Sequence, residues 1–116
     1  MGGTRLSFGE RLIAIFKQEG VEAIFSQGDL SMKDIQLHAE AQGLKVVGPR
    51  HEASAVFMAM GYHAMTGKVQ VAIGAPGPGQ GNLLPAAITA AQEHIPVIIL
   101  GARRQHAVDT AVRRGR

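Results

Sequence analysis

There is no cysteine in the chain, so neither a disulfide framework nor a thiolate metal site can be built from it. Tryptophan is also missing, and Phe and Tyr reach only 4% of residues. The bulk of any core must therefore come from Ala, Val, Ile and Leu. No apolar run approaches the roughly 18–20 residues that a membrane helix requires, so no membrane partner is expected. The opening Met1-Gly2-Gly3-Thr4-Arg5-Leu6-Ser7 lacks a signal-peptide apolar region, and Leu6 stands where a myristoylation signal wants Ser or Thr. The expected compartment is the cytoplasm. The formal charge is only +3, and much of the basic excess sits at one end in Arg103, Arg104, Arg113, Arg114 and Arg116. A nucleic-acid surface would spread basic residues along a face and interleave aromatics among them. A solvated terminal segment is the expectation instead, with no nucleic-acid partner.

What is present reads as one globular domain. An apolar fraction of 46% against 18% charged residues argues against disorder, and 116 residues can bury one modest core. The 15 glycines suggest close backbone approaches, at turns or against a ligand.

Ser7-Phe8-Gly9-Glu10 has the spacing of a capping box, and Leu12, Ile15 and Phe16 follow at helical period until Gly20 stops the run. Val21 to Phe25 is a short apolar strand, and Ser26 to Leu30 a polar loop. Ser31 with Asp34 opens a second helix in the same manner, which closes at Gly43. Leu44 to Val47 makes a second strand, ended by Gly48-Pro49. A third helix, rich in Ala and Met, runs from about His51 to Thr66 with Gly67 beyond its end. Met58, Met60 and Met65 are expected to pack the core. Val69 to Ile73 is a third strand, leading into Gly74-Ala75-Pro76-Gly77-Pro78-Gly79-Gln80-Gly81. A fourth helix follows to about Glu93, and Val97 to Leu100 is a fourth strand. Beyond Gly101 another helix is expected to start. Short apolar strands alternating with helices predict an α/β fold: a three-layer αβα sandwich around a mainly parallel sheet.

In such sheets ligands bind beyond the carboxyl ends of the strands, where three strand-to-helix turns lie: Ser26–Leu30, Gly48–Glu52 and Gly74–Asn82. The glycine-rich turn is not a dinucleotide fingerprint, because Asn82 stands where the last Gly belongs. Nor is it a P-loop, because it has no Lys. Four glycines within eight residues exceed what a tight turn needs and allow a flat ligand close to main chain. On spacing alone, Glu52 is a first-turn carboxylate that the helix dipole favours by a few tenths to about 1 kcal/mol. Asn82 reads equally well as a site residue or as the cap of the fourth helix. The five histidines show no metal-ligand spacing, no HExxH is present, and no metal site is expected in this chain.

Five stretches occur in order: Gly20-Val21-Glu22-Ala23-Ile24-Phe25, Arg50-His51-Glu52, Met60-Gly61-Tyr62, Thr66-Gly67-Lys68 and Gly77-Pro78-Gly79-Gln80-Gly81-Asn82. Together they resemble the N-terminal pyrimidine-binding (PYR) domain of thiamine-diphosphate-dependent enzymes of the acetolactate synthase and pyruvate oxidase-like family. The match runs in register over nearly the whole chain, to Ile95-Pro96-Val97.

The resemblance implies that Glu52 hydrogen-bonds N1′ of the cofactor's aminopyrimidine, favouring the 4′-imino tautomer whose nitrogen removes the thiazolium C2 proton. The ylide then attacks a 2-oxo acid, carbon dioxide is lost, and the remaining carbon unit is transferred or released. It further implies Ala75, Pro78 and Asn82 around the pyrimidine, with Gln27 and Gly28 at its edge. Family members hold the diphosphate through Mg²⁺ on a separate domain with a G-D-G…N pattern that this chain lacks. Some also carry FAD, on which these residues are silent. The implied partner is a second copy, in a homodimer or larger homo-oligomer with each active site between subunits. The expectation is therefore a PYR domain over residues 1–116, incomplete at its C-terminus and inactive by itself, with the central and diphosphate-binding domains absent. Two other readings stand beside it: a separate PYR subunit, as in sulfopyruvate or phosphonopyruvate decarboxylases, and a non-catalytic nucleotide-binding module. Two departures from the family pattern change the side chains near the implied pocket. Asp29-Leu30 replaces a Gly-Gly pair, and Ala75-Pro76 replaces Thr-Ser.

Overall fold

Ser7 ends an extended stretch (φ −69°, ψ 164°) and starts α1 (Phe8–Gln18) with a reciprocal pair of bonds. Its Oγ accepts from the Glu10 N–H at 3.1 Å, and Glu10 Oε1 accepts from the Ser7 N–H at 3.2 Å. A cap of this kind stabilises by about 1 kcal/mol. The computed structural model describes residues 5–28 and 32–102. After α1 come β1 (Ala23–Ser26), α2 (Lys33–Ala41), β2 (Lys45–Val47), α3 (Glu52–Thr66), β3 (Val71–Gly74), α4 (Pro78–Gln92) and β4 (Ile98–Gly101). The capping role expected of Ser31 and the helix expected beyond Gly101 lie outside the described residues. At the other end of α3, Gly67 takes a left-handed conformation (φ 74°) that a side chain would strain, and its N–H closes on His63 O at 2.7 Å.

All three strand ladders are parallel and the order is β2-β1-β3-β4. Alternation along the strands divides the core in two. Ile24, Val71 and Ile73 meet Ile13 and Phe16 of α1 and Ile35 and Ala39 of α2 on one face. Ala23, Phe25 and Ala72 meet Ala55, Val56 and Ala59 of α3 and Leu83, Ala86 and Ala90 of α4 on the other. Helices therefore cover both faces, which is the three-layer α/β arrangement expected. Burial of each large aliphatic side chain here contributes roughly 1.5–3 kcal/mol. Alanines on the second face let α3 and α4 sit close to the sheet and to each other. The outer strands β2 and β4 leave alternate residues exposed, so continuous burial describes only β1 and β3.

Two sequence expectations need correction. Met60 is buried, but Met58 is 41% and Met65 86% exposed. The inward stripe of α3 is Ala55, Val56, Ala59 and Met60, and at 100° per residue the other two methionines fall outside it. The strands also start later than their apolar runs. Gln70, fully buried, accepts the Glu22 N–H at 2.8 Å and the Ala23 N–H at 2.9 Å through its side-chain carbonyl. This side chain stands in for a ladder bond at the foot of the sheet.

Near the same foot, Glu22 accepts from Lys68 Nζ at 2.8 Å and from the Tyr62 hydroxyl at 2.7 Å. Lys68, then Tyr62, holds Glu22 below its ordinary value of 4.5. Its contribution to stability is therefore complete above that value and disappears as pH falls through the depressed one. Glu22→Gln is expected to flatten this part of the acid limb, checked by melting temperatures of both proteins between pH 2 and pH 6. A parallel acid limb in the variant would contradict the linkage.

Candidate functional site

The strand order places a switch point between β1 and β3: α2 carries the chain away from β1 on one face, and α4 carries it away from β3 on the other. A crevice opens outside the carboxyl ends of strands that diverge in this way. Its walls are the turns after β1, β2 and β3.

On the β3 side, Gly77 adopts φ 77° and ψ −124°, a conformation that only glycine enters freely. It turns the chain into Pro78 at the first position of α4, where the missing N–H costs nothing. The helix thus starts at Pro78, not at Asn82, and the capping role considered for Asn82 is replaced. Asn82 lies in the second turn, and its side-chain amide donates to Glu52 Oε1 at 3.0 Å. Gly79 and Asn82 are three residues apart on α4 and share the face turned toward Glu52.

Glu52 is half-buried at the first position of α3. His51, extended at φ −142° and ψ 143°, caps that helix by accepting the Ala53 N–H on Nδ1 at 3.0 Å. It has the role of a cap, with no metal cluster among the described residues. While Oε1 takes the Asn82 amide, Oε2 lies over Gly79. A Cβ placed there would stand 3.2 Å from Oε2 and 3.1 Å from the Ala75 methyl. Among the described residues no donor occupies Oε2. The site therefore presents one fixed and one free carboxylate oxygen beside main chain stripped of side-chain bulk.

The structure brings Glu52, Asn82 and Ala75 together, with Pro78 on the same turn. Gln27 and Gly28 stand across the crevice after β1, and Gln27 connects toward Glu52 only through main chain: its side-chain amide donates to the Arg50 carbonyl. Sequence reasoning missed Gly79, although its spacing of three from Asn82 was available as a signal. It also missed Ser26 and Gln36, whose side chains bond at 2.7 Å behind the β1 turn. A separate groove at the foot of the sheet is lined by Lys17, Glu22, Lys45, Tyr62 and Lys68. Its carboxylate, Glu22, is already engaged by Tyr62 and Lys68.

Comparison with known proteins identifies the family. The family model described as thiamine pyrophosphate enzyme, N-terminal TPP binding domain, matches residues 6–111. The chain belongs to that family. It is similar to 2-hydroxyacyl-CoA lyase 2 of Bos taurus, 36% identical over 93 residues, covering 80% of this chain and 15% of the relative. It is also similar to the acetolactate synthase large subunit of Haemophilus influenzae, 33% identical over 101 residues, covering 85% of this chain and 18% of the relative. A solved structure of a candidate thiamin diphosphate-dependent enzyme isolated from Mycobacterium smegmatis shares the fold. Its TM-score is 0.79 at 19% identity, over 92% of this chain and 21% of that one. The chain thus spans less than a fifth of the length of these curated relatives.

Proposed function

We propose that this chain supplies the pyrimidine half of a thiamine diphosphate site, in an enzyme that decarboxylates a 2-oxo acid and transfers or releases the remaining carbon unit. The observation that carries the reading is the Glu52 carboxylate, with Oε1 held by Asn82 and Oε2 free above Gly79. The donor set suits an aminopyrimidine: a carboxylate for a ring nitrogen, and a side-chain-free stretch of backbone for a flat ring to approach. When bound, the cofactor supplies the electron sink that makes carbon–carbon cleavage beside a carbonyl accessible.

The residues have separate tasks. Glu52 holds or shares a proton at the ring nitrogen. Asn82 fixes the carboxylate's rotation, so that the same oxygen always faces the ligand. Ala75 and Pro78 form an apolar wall that excludes water, and Gly28 closes the β1 side. The diphosphate and its Mg²⁺ are assigned to a second domain, as the short span of this chain against its relatives supports.

Ala55, Ala59 and Met60 of α3 are core residues. The apolar side chains exposed on α3 and α4 are Phe57, Met58, Met65, Leu84 and Ile88. Exposed apolar side chains on these two helices support contact between two copies. The test is a titration of the assembled enzyme, meaning this domain together with the diphosphate-binding part, with thiamine diphosphate, NAD and ATP in turn. Saturable binding of thiamine diphosphate alone is expected. Preference for either nucleotide would remove the reading.

A further inference from the structure

The turn that delivers Glu52 is anchored from β1 by side chains. β1 ends at Ser26, which is buried. Its Oγ accepts the Gln36 side-chain amide of α2 at 2.7 Å and the Gly28 N–H, more weakly, at 3.4 Å. Gly28 has φ 82°, which permits this tight reversal immediately after the strand. The residue at its centre is Gln27. Its side-chain amide crosses to the β2–α3 connection and donates to the Arg50 carbonyl, two residues before Glu52. The same connection passes close to β1 at Gly48, where a Cβ would stand 3.5 Å from the Ser26 carbonyl. Pro49 between them is buried. Thus α2, the end of β1 and the approach to α3 are joined in series, and the last link is Gln27.

We infer that Gln27 is a positioning residue for Glu52: by clamping Arg50, it sets where α3 begins and hence where the carboxylate stands. This rests on the proposed role of Glu52 and adds to it a named source of rigidity. It assigns Gln27 to the protein's own main chain and not to contact with the cofactor. A side-chain amide can donate to a carbonyl, whereas a carboxylate at the same place would meet it with like partial charge. The clamp therefore needs a donor, and Lys could supply one while Ala and Glu could not.

The test compares Gln27→Ala, Gln27→Glu and Gln27→Lys in the assembled enzyme. Two readouts are independent of turnover: amide hydrogen exchange at residues 50–54 without cofactor, and the dissociation constant for thiamine diphosphate. For Ala and Glu, exchange at 50–54 is expected to rise and kcat to fall about tenfold, the effect of one lost bond of ordinary strength. KM and the cofactor dissociation constant are expected to stay within about twofold, a pattern in which only placement is lost. Lys is expected to recover part of both losses. Unchanged exchange at 50–54 would overturn the clamp. So would a tenfold loss of cofactor affinity with normal exchange, because Gln27 would then touch the ligand directly. Glu52→Gln is measured beside them: if that variant keeps full activity, the function proposed for the site fails, while the exchange data still judge the clamp.

Discussion

Glu52→Gln is expected to lower turnover by about 10²–10⁴-fold, the usual span for a group that moves a proton in the rate-limiting step. The substitution is close to isosteric. The remaining carbonyl oxygen can still accept the Asn82 amide, so the 3.0 Å contact between α3 and α4 is kept. What is lost is the second oxygen above Gly79, replaced by an NH₂ that neither accepts nor releases a proton at neutral pH. Cofactor affinity should change only a few-fold, because the amide can still donate to a ring nitrogen. Thermal stability should barely move, since one carboxylate at a helix N-terminus is worth at most about 1 kcal/mol. Kinetics of the assembled enzyme, with melting of both proteins, checks all three. An unchanged rate would remove Glu52 from the chemistry.

Gly79→Ala is the second large expectation, and its effect on activity is expected to be far larger than its effect on stability. The new methyl would meet the Ala75 methyl at 3.1 Å and Glu52 Oε2 at 3.2 Å. Both are closer than ordinary contact, so something must give by a few tenths of an ångström. The Ala75 methyl is fixed to main chain between β3 and Gly77, whereas the carboxylate ends a flexible side chain. Glu52 is the group that yields. The fold should therefore survive, with helical alanine favoured over glycine offsetting part of the crowding. Activity should fall by about 10–100-fold, because misplacement of a reacting group by up to 1 Å costs about that much. Wild-type turnover in a folded Gly79→Ala protein would show that Oε2 is not the working atom.

Much of the fold was legible because its causes are local. The Ser7–Glu10 box, the Gly67 stop and the apolar runs each follow from residues within one turn of each other, and the structure has all of them. The start of α4 was less legible. Glycines at 77, 79 and 81 read as loop, and only Pro78 following a positive-φ glycine marks the helix start four residues before Asn82. The exposure of Met58 and Met65 depends on which arc of α3 faces the sheet, and in an almost uniformly apolar helix the pattern does not select one.

The site divides in the same way. Glu52 stood out through the order of several short stretches, since its spacing alone describes any first-turn carboxylate. Its contacts with Asn82 and Gly79 join residues some thirty positions apart and exist only because β1 and β3 are neighbours with α3 and α4 on one face. Nothing in the local sequence encodes that approach. The bond from Gln27 to Arg50 is of the same kind.

The central claim is a hydrogen bond between Glu52 and the cofactor's N1′ nitrogen, and the most direct measurement is the ¹⁵N resonance of thiamine diphosphate labelled at that atom. In the assembled wild-type enzyme the resonance should be displaced from its position in the free cofactor. In Glu52→Gln, with cofactor still bound, it should be clearly different from wild type. Identical N1′ resonances in the two loaded proteins would contradict the account.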